Sequence, residues 1–243
     1  MLNLIYIKVL SFAISIIDFQ NKKKIIKFFK KKFELKKVNI VDIGAHLGET
    51  IEIFDKNLSI NKIISFEANP QIFKLLENKI KTKKKILLIN SGISDEYNKK
   101  KLKIFKETSS STFNEINKNT EYYKRKKKFI SFLNNKNDNE YDEIITEVRP
   151  LSSFKEFAEL DTVHLLKIDT EGYELKVLKG INEKDLKKIK FIYFEHHYDL
   201  MIKKNYKYSE IRKFLNTNNF YLSFKIKMNF RKTFEYIYER SDK

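Results

Sequence analysis

The 243-residue chain carries 50 Lys and Arg against 32 Asp and Glu, a formal charge of +18, with 42% hydrophobic residues and 21 Phe. That apolar content excludes wholesale disorder and suits one α/β domain with excursions, or at most two small domains. The absence of cysteine excludes disulfides, thiolate metal sites and cysteine nucleophiles.

Residues 1–19, opening Met1-Leu2-Asn3-Leu4-Ile5, are apolar. Lys8 interrupts the stretch, Asp18-Phe19-Gln20 is no cleavage signal, and Val9 to Ile17 is too short to span a bilayer. The expectation is a packed helix in a cytoplasmic protein without a transmembrane segment, with peripheral membrane contact left open. Lys22 to Phe33 reads as a basic amphipathic helix, so residues 1–37 form a helical segment ahead of a domain over 38–243. Strands at Val38 to Ile43, Lys62 to Phe66 and Ile86 to Ile89 alternate with helices at Leu47 to Phe54 and Gln71 to Ile80. This order of buried apolar strands and helices predicts a mostly parallel sheet with helices on both faces.

Residues 99–106 alternate in polarity, which predicts an antiparallel strand. About 114–141 the chain turns polar and rich in Asn and Lys, an insertion that reads as a mostly helical lid or as a solvated excursion. Regular order resumes with a strand at Ile144 to Val148, a helix from Leu151 to Ala158 opened by Pro150, and a strand at Val163 to Ile168. A helix over Tyr173 to Leu178 follows, capped by Gly180. After a strand at Phe191 to Phe194 comes a helix containing Ile211, Phe214 and Leu215, then a terminal β pair at Tyr221 to Lys227 and Thr233 to Tyr238.

With only five glycines in the chain, their neighbours mark candidate sites. The turn Asp42-Ile43-Gly44-Ala45-His46-Leu47-Gly48-Glu49 follows the first strand and opens a helix, where backbone amides approach a ligand. Its spacing is not that of a dinucleotide fingerprint. Asp42 and Glu49 place negative charge there, which suits a ligand with an ammonium group. Glu67 ends the second strand in Phe66-Glu67-Ala68-Asn69-Pro70, where an acid accepts hydrogen bonds from ribose hydroxyls. As a plain alternative, Glu67 complements a helix N-terminus capped by Asn69. Asp169-Thr170-Glu171-Gly172 sets two carboxylates at a strand end, either as general base or substrate clamp or as helix caps. Glu195-His196-His197 offers a histidine as proton acceptor. Asp169, Glu171 and His196 together are also a conceivable divalent-ion set, although spacing alone does not make a metal site.

These motifs, with Gly92-Ile93-Ser94-Asp95, Ser109-Ser110-Ser111 and the run from Leu166 to Gly180, resemble the FkbM family of S-adenosylmethionine-dependent methyltransferases. The resemblance runs from about Val38 to His197. It implies a Rossmann-like class I fold with a seven-stranded sheet and an antiparallel C-terminal pair. It places the methionine part of the cofactor on Asp42, Gly44, Ala45, His46, Gly48 and Glu49, and the ribose on Glu67. Ser91 and Gly92 fall against adenine, and Asp169 near the methyl group. The implied activity is O-methylation of a hydroxyl on a sugar, glycan or other small acceptor, with Asp169, Glu171 or His196 as base and no metal.

An RNA methyltransferase is the alternative, from the charge and from Tyr122-Tyr123-Lys124-Arg125. Lysine runs recur along the whole chain and arginine is scarce, so the charge reads as solvated surface ahead of a nucleic-acid patch. Asp169-Thr170-Glu171-Gly172 also stands where base-amino methylation commonly uses a proline-aromatic motif. A cofactor-binding protein without catalysis is a third reading.

Overall fold

The computed structural model describes residues 20–105, 110–121, 123–125, 127, 141–228 and 232–241. The helix expected over residues 1–19 and much of the 114–141 insertion (122, 126 and 128–140) lie outside the described residues.

Residues 20–33 are helical (α1). Ile25, Ile26, Phe29 and Phe33 recur at helical spacing and are buried, while Lys23, Lys24, Lys27, Lys30 and Lys31 face solvent. The expected alternation follows as β1 (Val38–Ile43), α2 (Glu49–Asn57), β2 (Ile60–Glu67), α3 (Pro70–Ile80) and β3 (Ile86–Asn90). Asn69 caps α3 by accepting from the amides of Gln71 and Ile72, and Pro70 stands at the helix start. Next come β4 (Gly92–Ile93), β5 (Asn98–Phe105), β6 (Ser111–Thr112), β7 (Glu115–Ile116) and β8 (Tyr141–Arg149). The helix expected from Leu151 to Ala158 is broken at Phe154 into a 3₁₀ turn, Leu151–Ser153, and α4 (Lys155–Ala158). Phe154 is extended, and its ring lies 4.8 Å edge-on from that of Phe66. The chain continues through β9 (Val163–Ile168), α5 (Glu174–Lys179), α6 (Glu183–Lys187) and β10 (Ile189–His197). It ends with β11 (Ile202–Lys203), α7 (Tyr208–Thr217), β12 (Phe220–Lys227) and β13 (Thr233–Arg240).

Seven strands form the central sheet in the order β12-β13-β10-β9-β1-β2-β3. From β3 to β10 every pairing is parallel, and β13 runs antiparallel to both β10 and β12. A second sheet, β4-β8-β5-β6, takes the strand expected at Ile144 to Val148, which pairs antiparallel with the alternating lysine-rich β5. Charges complement each other across it, as in Lys101–Glu143 at 3.2 Å.

Side-chain alternation splits the central core. Ile43, Phe66, Ile168 and Phe194 meet α5 and α7 on one face. Ile40, Ile63, Leu165 and Phe191 meet α1, α2 and α3 on the other. Gly180 caps α5, but its φ of −77° is not the left-handed conformation of a typical glycine cap. A Cβ there would overlap the carbonyl oxygen of Ser94, so close approach is what demands glycine. Among the described residues no helix is long and apolar enough to cross a membrane.

Phe29 is fully buried and its ring centroid lies 5.4 to 6.1 Å from those of Phe33, Phe54, Phe191 and Tyr193. Phe29→Ala is therefore expected to cost about 3–5 kcal/mol, read as a lower urea midpoint at unchanged slope. A midpoint equal to wild type would mean that α1 is an appendage and not part of the core.

Candidate active site

A cleft of about 290 Å³ opens at the carboxyl ends of β1, β2 and β9, where open parallel sheets bind ligands. Its first wall is the turn after β1. The amides of Gly44 and Ala45 both donate to the Phe66 carbonyl, at 2.9 and 3.0 Å, and tie that turn to the end of β2. Gly44 has φ +83°, and a Cβ there would overlap the Asp169 carbonyl oxygen. Only glycine satisfies both conditions. His46 follows at φ 48° and Gly48, N-cap of α2, at φ 82°. Gly48 and Asp42 support the turn from behind, while Gly44, Ala45, His46 and Glu49 line the cleft.

Glu67 is buried at the cleft wall. Its two carboxylate oxygens accept from the amides of His46 and Asn69, each at 2.8 Å. Burial raises its pKa, and those amides and the nearby His46 oppose the rise. Each oxygen keeps a second acceptor position, so the immobilised carboxylate can take a pair of hydroxyls. Ser91 and Gly92 lie further along, with Phe113 packed over Gly92.

The floor carries a charge network on the face covered by α1. Lys167 is buried in β9 between two acids, with its ammonium 3.4 Å from Asp42 and 3.2 Å from Asp169. Burial disfavours its charge, but Asp169 and Asp42 outweigh that and raise its pKa. Asp42, also buried, is raised chiefly by desolvation against the pull of Lys167. Glu235 of β13 belongs to the same network. Burial drives its pKa up to about 7 with Asp169 adding to the rise, while Tyr193, Lys167 and Lys22 oppose it.

At the mouth, Asp169 keeps about a third of its side chain exposed. Neither Asp169 nor Thr170 caps α5, whose N-cap is Tyr173. Glu171 sits at φ 49°, an unusual conformation for a non-glycine residue that is enriched at functional sites. Its backbone carbonyl accepts from the Thr112 hydroxyl at 2.8 Å, and its carboxylate is 3.3 Å from His197 Nε2.

His196 does not line the cleft. It is buried with its ring centroid 4.8 Å from Tyr198 and 5.7 Å from Tyr208. Burial, aided by Lys204 and His197, lowers its pKa to about 4. Alternation along β10 turns His197, not His196, toward Glu171. The sequence signal was the period-two pattern itself, since His197 shares parity with Tyr193 and Glu195. Asp169, Glu171 and His196 are not brought together, and among the described residues no group of three or more His, Cys, Asp or Glu is placed to hold a metal ion. Lys167 and Glu235 were missed by sequence reasoning. Lys167 is the one carboxylate or ammonium residue in the otherwise mostly apolar β9, and Glu235 stands between the aromatic neighbours Phe234 and Tyr236, which signals a buried partner without naming it.

The model of the Methyltransferase FkbM domain matches residues 42–222, and the chain belongs to this family of S-adenosylmethionine-dependent methyltransferases. No curated protein matches the chain. Among solved structures, magnesium protoporphyrin IX methyltransferase (ChlM) from Synechocystis PCC 6803 with bound S-adenosylmethionine is similar at 8% identity and a TM-score of 0.52, over 93% of this chain and 81% of that one. Methyltransferase FkbM from Methylobacillus flagellatus KT is similar at 13% identity and a TM-score of 0.51, over 84% of this chain and 43% of that one. Such distant likeness shows the shared class I fold.

Glu235 supplies a pH test. Its folded pKa of about 7 lies above its ordinary 4.5, so the native state keeps the proton over that window while the unfolded state has lost it. Its contribution to unfolding free energy therefore falls as pH rises from about 4.5 to about 7, by on the order of 3 kcal/mol, and then levels. Glu235→Gln should remove that decline in denaturation curves taken across the window. An unchanged slope would refute the assignment.

Proposed function

We propose that the protein transfers a methyl group from S-adenosylmethionine to a hydroxyl of a sugar, glycan or other small acceptor. Glu67 accepts the ribose hydroxyls, the turn from Gly44 to Gly48 holds the methionine part, and Ser91 and Gly92 lie against adenine. The orphaned buried Nε2 of His46, in a turn that only glycine can close, fits a ligand with polar groups at that wall. Bound S-adenosylmethionine supplies a methyl carbon on a sulfonium, open to in-line displacement by an acceptor oxygen.

The observation that carries this reading is a pair of carboxylates, Asp169 and Glu171, at the cleft mouth directly beyond the cofactor turn. Asp169 is held by Lys167 at 3.2 Å, which fixes its orientation. Its role is to align the acceptor hydroxyl. Glu171 accepts the hydroxyl proton, with His197 Nε2 at 3.3 Å to steady the carboxylate and share that proton. Alignment and proton removal are the main contributions such a displacement needs from protein.

Calorimetric titration with S-adenosylhomocysteine tests the cofactor half. Wild type should bind, and Glu67→Ala should weaken binding at least tenfold. Equal binding by the two would refute the ribose role. For the catalytic half, Asp169→Asn and Glu171→Gln should each lower kcat by about 10²-fold with cofactor affinity retained. Full turnover by both variants on an acceptor that wild type methylates would remove them from the mechanism.

A further inference from the structure

The family match begins at residue 42, yet the cleft has a wall outside it. Lys22, in the first turns of α1, lines the cleft with Gly44, His46, Glu49 and Thr50. Its position is set firmly. Ile25, Ile26 and Phe29 anchor α1 in the core three to seven residues further on. One residue earlier, Asn21 is buried and its amide reaches the Lys227 carbonyl at 3.5 Å. The lysine stem therefore leaves a rigid helix and enters the end of the cleft that holds the β1 turn.

The cleft's charges are unbalanced there. Glu49, Glu67, Asp169 and Glu171 line it, with Asp42 and Glu235 buried nearby. Such an array suits the ammonium and sulfonium of the cofactor but repels its carboxylate. Two lysines line the cleft among the described residues. Lys167 is already shared by Asp42 and Asp169. Lys22 has no hydrogen bond or ion pair with any described residue, although its charge helps to lower the pKa of Glu49 and opposes the rise in that of Glu235. Glu49 itself is engaged by His46 Nδ1 at 3.3 Å, which leaves His46 Nε2 buried and without a partner beside the same wall.

We infer that Lys22 is the counter-cation for the cofactor's amino-acid carboxylate, with His46 Nε2 as a neighbouring polar contact. On this account α1 completes the cofactor site from outside the family-matched residues. The inference rests on the cofactor reading above and adds a specific ligand group to it. A half-buried ammonium facing a carboxylate forms a charge-assisted hydrogen bond, stronger than a neutral one.

The test compares two ligands that share the thioether and adenosine but differ in the amino acid. S-adenosylhomocysteine has the carboxylate, and 5′-methylthioadenosine lacks it. In calorimetry on the full chain, Lys22→Met should weaken S-adenosylhomocysteine about tenfold and leave 5′-methylthioadenosine unchanged, while Lys22→Arg restores most of the loss. Lys22→Gln provides a second neutral variant if Lys22→Met does not fold. Neutral variants that bind S-adenosylhomocysteine like wild type, or that lose both ligands equally, would overturn the role of Lys22. If Glu67→Ala at the same time weakens both ligands, the cofactor reading survives that failure. Wild type that binds neither ligand would overturn both.

Discussion

A single buried cation organises the functional end of the molecule. Lys167 projects from the penultimate position of β9 and joins Asp42 of the adjacent strand to Asp169 at the cleft mouth. Removing it would leave the buried Asp42 carboxylate beside Asp169 with no counter-cation, a defect of several kcal/mol. Its bridge also explains why β1 and β9 can end side by side in acids, with the Asp169 amide donating to the Ile43 carbonyl at 2.9 Å. Gly44 then passes so close to Asp169 that no side chain fits. The turn after β1 and the acidic mouth of the cleft are thus held together by one ion and one steric exclusion.

The charge of the cleft runs opposite to that of the chain. Lysines dominate the surface, as the exposed face of α1 and the outer face of β5 illustrate, while acids converge on the interior of the site. A cationic sulfonium is complementary to that interior, and the basic exterior is spread over the surface instead of gathered along the cleft. The same contrast accounts for the value of a cleft lysine left without a protein partner.

Much of this was legible in the residues, and the reasons are local. The glycine turn, the Asn69 cap and the buried strands each follow from short-range chemistry that survives in any tertiary context. Glu67 was legible as an acid at the end of β2, beside the Asn69 cap, and the structure places it in the cleft wall. What escaped was long-range. Alternation identifies β5 and β8 as half-buried strands but not the sheet they join, so the second sheet was invisible. The pair His196-His197 announces that one ring faces each way, and the packing of His196 against Tyr198 and Tyr208 leaves His197 as the ring beside Glu171. Lys22 stands in a run of lysines with no local mark, and its meaning comes entirely from the helix that carries it to the cleft. The helix expected from Leu151 to Ala158 failed at Phe154, where burial against Phe66 outweighed helical propensity.

The central claim is methyl transfer to a small hydroxylated acceptor. Its most direct test is incubation of the full chain with methyl-labelled S-adenosylmethionine and a cell extract fractionated into lipid, glycan, small-molecule, protein and RNA pools. The account predicts label in the glycan or small-molecule pool, dependent on Glu67 and Glu171. Label confined to RNA, or no transfer to any pool by protein that binds S-adenosylhomocysteine, would contradict it.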